Sequence, residues 1–147
     1  LKLINSPAIR DDSVAGMASV IAAMPAVRAA FLVLQRDFAS HPPTGHGAVL
    51  DGRDIGSVVL PDAPVKFFVD ADIEVRAERR TNELQAAGQS VMFRDVLVDM
   101  QARDARDRGR SIAPLRAVED AKLIDTSSLD ADQVFASALA HIDAAGT

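Results

Sequence analysis

Apolar and polar positions follow one another in blocks whose spacing predicts a run of elements. Leu1 to Ile4 reads as a short strand, broken by Asn5-Ser6-Pro7, and Asp11-Asp12-Ser13 offers side chains for a helix start. Val14 to Ala23 is too densely apolar for a clean amphipathic pattern, but its small residues permit close packing in a helix. Met24-Pro25 interrupts it, and Pro25 suits the first turn of a second helix reaching about Phe38, with Val27, Phe31, Leu34 and Phe38 on one face. Ser40 to Gly47 is a loop by composition, and Ala48-Val49-Leu50 reads as a short buried strand running into Asp51-Gly52-Arg53-Asp54-Ile55-Gly56.

A second strand, Val65 to Val69, ends at Asp70-Ala71-Asp72. Asp72 is placed to cap a helix from Ile73 to about Ala87, closed by Gly88. Ser90 is placed to cap another helix, from about Val91 into the Arg/Asp segment 103–110, with Pro114 near its end. Lys122 to Asp125 reads as a last strand and Thr126 to Ser128 as a turn. Asp130 heads a final helix with Val134, Ala138 and Leu139 inward. Strands alternating with helices predict an α/β fold with a mainly parallel sheet covered by helices.

Length and composition narrow the function classes. The 147 residues suit one domain with a real core, and neither repeat nor linker divides them. Aliphatic residues dominate, with 48% hydrophobic against 4% aromatic. With no Cys there is no disulfide framework, thiolate metal site or thiol nucleophile, which fits a reducing cytoplasm. A net charge of −5 argues against binding a nucleic acid polymer, which needs a basic face to release counterions. The opening Leu1-Lys2-Leu3-Ile4 lacks a charged leader, no apolar run is long enough for a membrane, and such a start reads as the inside of a longer protein. Of the sixteen basic residues only Lys2, Lys66 and Lys122 are not Arg, the residue suited to bidentate phosphate contacts; base composition of the genome explains the excess equally well.

Two constellations carry possible chemistry. Arg103, Asp107 and Arg110 fall at i, i+4 and i+7, on one helical face; they read either as a solvated, ion-paired helix end or, with Gly109 and Pro114, as a lid closing over a polyphosphate. The turn after Leu50 reads either as an exposed Asp-Gly turn or as a site in which Asp51 holds Mg²⁺ through water, Arg53 grips a phosphate and Asp54 accepts from a base amino group. Arg76, Arg79 and Arg80 read as a solvated basic face, with ATP as the rival partner. His41, His46 and His141 do not converge on a metal.

The run Asp51-Gly-Arg-Asp-Ile-Gly-Ser-Val-Val-Leu-Pro-Asp-Ala-Pro, then Val75-Arg-Ala-Glu-Arg-Arg, then Arg106-Asp-Arg with Ala113-Pro-Leu, resembles bacterial cytidylate kinases in order and spacing. Ile9-Arg10, Ala18-Ser19 and Pro25-Ala-Val-Arg28 extend the likeness, which runs from about Ile9 to His141. The resemblance implies a P-loop nucleoside monophosphate kinase-like fold, a parallel sheet flanked by helices. It places acceptor-binding helices at about 9–40 and a lid at about 99–116. It implies transfer of the γ-phosphoryl group of ATP to CMP or dCMP with Mg²⁺, in a monomeric cytoplasmic enzyme. By motif it puts Ser19, Arg28 and Asp54 around the cytosine, Arg53 toward the monophosphate, and Arg103, Asp107 and Arg110 around sugar and phosphates, with Arg53, Arg103 and Arg110 assisting the transfer.

One departure is large. None of the three Lys follows a Gly-x-x-x-x-Gly pattern, so the family's first strand, phosphate loop and first helix are expected upstream of Leu1, and the chain by itself is expected to be inactive. The family's usual Gly-x-Asp segment is also absent near Asn5-Ser6-Pro7, so either the chain is discontinuous there or the protein has diverged. A non-catalytic nucleotide-binding or partner-binding domain, or a kinase for another monophosphate such as UMP, is the rival expectation.

Overall fold

The computed structural model describes residues 12–22, 24–109 and 115–146. The strand expected at Leu1 to Ile4 lies outside them. The chain divides into two compact units that meet in sequence at Asp51 and Gly52.

The first unit holds the tandem helices, α1 (Asp12–Ala22) and α2 (Pro25–Ser40). Pro25 opens α2 because a first-turn residue has no N–H to lose and its φ is already helical. The face of α2 expected inward is only partly so: Val27 is half-buried, but Phe31, Leu34 and Phe38 are exposed. Ala48-Val49-Leu50 forms no strand, and Val49 is 95% exposed. Three apolar residues make a strand only when a neighbouring strand pairs their amides, and no described strand pairs them.

In the second unit a π-helical turn (Ile55–Val59) comes first. The strands β1 (Phe67–Asp70) and β2 (Lys122–Asp125) follow, paired in parallel with Phe67 opposite Lys122 and Asp70 opposite Asp125. The connection between them carries α3 (Ile73–Ala86) and α4 (Phe93–Arg108). The last helix, α5 (Ala131–Ala145), reaches back to the sheet where His141 meets the ring of Phe67 edge-on at 5.5 Å. The architecture is therefore α/β, a parallel two-stranded sheet flanked by helices among the described residues.

The helix ends show which local signals acted. Gly88 takes φ +83°, a conformation open to glycine, and Gln89 N–H then donates to Leu84 O, ending α3. Asp130 caps α5 through a reciprocal pair: its carboxylate accepts from Gln133 N–H, and Gln133 Oε1 accepts from Asp130 N–H. Asp72 stands at the start of α3 but makes no side-chain cap; its own N–H donates instead to Ser127 Oγ at 2.8 Å. Ser90 does not cap α4, which begins at Phe93 after Met92 in extended conformation, and α4 ends at Arg108. In α5 Val134 and Ala138 are half-buried but Leu139 is exposed.

The core is small. Ala77, Leu84 and Val96 are buried between α3 and α4, with Val91, Leu97 and Met100 packed against them. No single described helix is long and apolar enough to cross a membrane, although α1 and α2 taken together pass on length and composition.

Candidate functional site

Parallel strands bring their carboxyl ends to one edge, where open α/β sheets present ligand sites. Here that edge is stitched by hydrogen bonds. Thr126 N–H donates to Asp70 O at 2.8 Å, and Asp125 Oδ1 accepts from Ser127 N–H at 2.9 Å and from its hydroxyl at 2.6 Å. Those two donors hold the Asp125 carboxyl below the usual carboxylate range.

Arg76, in the first turn of α3, joins three elements. Its Nε donates to Ala71 O at 2.9 Å and lies 3.7 Å from Asp70 Oδ1 at the end of β1. Its Nη1 and Nη2 donate to the two oxygens of Asp104 on α4, at 3.2 and 2.7 Å. Arg108 Nη2 stands 3.9 Å from the same carboxylate. The fork from Arg76 holds Asp104 below its ordinary pKa against the opposing effect of burial, and raises that of Arg76 in turn.

Next to this cluster Arg53 Nε lies 3.6 Å from Asp107 Oδ2. Asp107 is buried, on the inward side of α4, whereas Arg53 remains exposed. Asp54 is half-buried, and its backbone carbonyl accepts from Val58 and Val59 N–H, so it heads the π-helical turn. Gly56 in that turn lies under the Lys66 stem: a Cβ there would come within 3.3 Å of Lys66 Cδ. Lys66 is itself paired with Asp120, whose carboxyl is held low by that contact.

The cytidylate kinase family profile matches residues 3–144. The chain belongs to the cytidylate kinase family. It is 56% identical over 134 residues to the cytidylate kinase of Paramagnetospirillum magneticum, covering 91% of this chain and 64% of that protein. It is 57% identical over 129 residues to that of Rhodospirillum rubrum (87% and 61%), and 50% over 138 residues to that of Rhodopseudomonas palustris (94% and 64%). The chain thus spans less than two thirds of the length of these curated relatives.

Set against the cytidylate kinase motifs, the structure brings Arg53 and Asp107 together and puts Asp54 in the same turn as Arg53. Arg103 is exposed on α4, one turn before Asp107. Arg110 lies outside the described residues; Asp107 points inward. Ser19 is on α1 and Arg28, half-buried, on α2; both belong to the first unit, and the Ser19 side chain lies outside what is described. Asp51, expected at a strand tip, is exposed in irregular chain, because the strand before it does not form.

Sequence reasoning gave Arg76 and Arg79 to a solvated face and did not single out Asp104. Arg76 is half-buried and forked onto Asp104, and Arg79, although exposed, is tied to the chain after β2. Arg79 donates from Nη2 to Thr126 O at 2.6 Å and to Leu129 O at 3.2 Å, and from Nη1 to Thr126 Oγ1.

Proposed function

We propose that the full-length protein carrying this chain is a cytoplasmic, monomeric kinase with the P-loop nucleoside monophosphate kinase fold, transferring the γ-phosphoryl group of ATP to CMP or dCMP. An oxygen of the acceptor's 5′-phosphate attacks the γ-phosphorus, and the bond to the bridging oxygen of ADP breaks. Such a transfer has no covalent enzyme intermediate and depends on positioning and charge stabilisation, which arginines supply. The observation that carries the reading is the Arg53–Asp107 contact, which joins the family's Asp-Gly-Arg-Asp turn to its Arg/Asp helix.

In this reading Asp54 accepts a hydrogen bond from the C4 amino group of cytosine, and Ser19 and Arg28 are assigned as donors to its acceptors. Arg53 takes the monophosphate, while Arg103, Asp107 and Arg110 serve sugar and phosphates. Arg53, Arg103 and Arg110 also offset charge as it develops during transfer. Residues 9–40 act as the acceptor-binding helices and 99–116 as the lid.

The lysines of this chain do not supply a phosphate-loop lysine for ATP. Lys66 is committed to Asp120, and none of the lysines follows a Gly-x-x-x-x-Gly run, so the phosphate loop is assigned to another part of the full-length protein. Among the described residues no three acidic or His side chains gather into a metal cage. Mg²⁺ in phosphoryl-transfer sites needs only one or two carboxylates besides waters and phosphates, and exposed Asp51 fits that need through a water.

The test is direct: the full-length protein is given ATP and Mg²⁺ with CMP, dCMP or UMP, and ADP release is followed. CMP and dCMP are expected to be converted in preference to UMP. An inert protein, or one preferring UMP, overturns the assignment.

A further inference from the structure

The apolar core that joins α3 to α4 ends at Met100. Beyond it, the last two turns of α4 carry Arg103 and the buried Asp107, yet Asp107 is the only buried residue there. Arg76 of α3 reaches these turns. Arg76 presents Nε to the Ala71 carbonyl, next to Asp70, and both Nη atoms to Asp104. A bidentate fork fixes orientation as well as distance, which a single contact does not. Arg79, one turn further along α3, anchors that helix to the Thr126 and Leu129 carbonyls after β2, so α3 is a fixed mount.

We propose that Arg76 is a positioning residue: it clamps Asp104 to the end of β1 and thereby sets the place of Arg103 and of the Asp107 carboxylate that faces Arg53. The functional part rests on the phosphoryl-transfer reading above. Asp104 lies next to Arg103 and three residues before Asp107 on one helix, so displacing it displaces both. Losing the fork leaves the α3–α4 core intact and lets the polar end of α4 move. A misplacement of about 1 Å is enough to cost catalysis on the order of a hundredfold.

The experiment uses the full-length protein as wild type, Arg76→Gln, Arg76→Lys and Asp104→Asn. It reads kcat and KM for CMP, Tm, and amide hydrogen exchange over residues 104–109. Arg76→Gln and Asp104→Asn are expected to lower kcat/KM for CMP by about tenfold or more, with faster exchange in those turns. Arg76→Lys, which keeps the charge but loses the fork, is expected to recover only part. Unchanged exchange in both variants, or kcat/KM within twofold of wild type, overturns the proposal. So does an activity loss that merely follows Tm across the set. Should Arg76→Gln fail to fold, Asp104→Asn decides; should wild type prove inert toward CMP, the kinase reading falls and the exchange data alone judge the clamp.

Discussion

Arg53 Nε stands 3.6 Å from Asp107 Oδ2, and the two ends of this contact differ in environment: the carboxylate is buried and the guanidinium is exposed. An exposed partner is screened, so the pair contributes little to stability, about 0–1 kcal/mol. A buried carboxylate facing a solvent-reachable arginine is instead suited to orienting that arginine.

Asp107→Asn keeps the volume and removes the charge. In the full-length protein it is expected to change unfolding free energy by less than about 1 kcal/mol, while kcat/KM for CMP falls on the order of a hundredfold. Paired denaturation and steady-state kinetics check this; equal losses in both would make the contact merely structural.

Asp54→Asn reverses part of the hydrogen-bonding polarity offered to the base. Cytosine presents an amino donor where uracil presents a carbonyl, and a mismatch of that kind discriminates by ~10⁴ in favourable sites. The substitution is expected to lower CMP turnover and narrow the CMP/UMP ratio, read by competing the two acceptors in one assay.

Acid should loosen α4 through Asp104. Its pKa is lowered in the fold, chiefly by the hydrogen bonds from Arg76, so its contribution is fully present above the unfolded value, about 3.9, and is lost as pH falls through the lower folded value. Wild type should exceed Asp104→Asn in stability by roughly 1 kcal/mol at neutral pH, allowing for solvent screening. That gap should close at the acid end of a denaturation series from about pH 7 to pH 2. A gap independent of pH would contradict the assignment.

Two helix ends give stability tests away from the site. Gly88→Ala places a Cβ at φ +83° and is expected to cost about 1–2 kcal/mol. Asp130→Ala removes the carboxylate half of the α5 capping box and is expected to cost about 1 kcal/mol. Thermal or urea unfolding reads both, and neither should alter KM for CMP.

The elements that the sequence made legible are those whose cause is local. The tandem helices divided at Met24-Pro25, the stop at Gly88, the strand at Lys122 to Asp125 and the cap at Asp130 each follow from a few neighbouring residues. Motif order was equally legible: the Asp51-Gly-Arg-Asp turn and the Arg106-Asp-Arg run mark the cytidylate kinase family. The strand expected at Ala48 to Leu50 was lost because strand formation needs a pairing partner, which composition does not supply.

By itself, then, the chain determined where helices begin and end, which family it belongs to and which charged side chains stand near its motifs. Only the tertiary structure decided how those charges pair. Helical periodicity placed Arg103, Asp107 and Arg110 on one face and left Arg76 and Arg79 to solvent, but an ion pair depends on what stands opposite. The fold turned Asp107 inward toward Arg53, gave Asp104 to Arg76 and spent Arg79 on two backbone carbonyls. Each of these contacts joins segments far apart in sequence, so no local pattern records it.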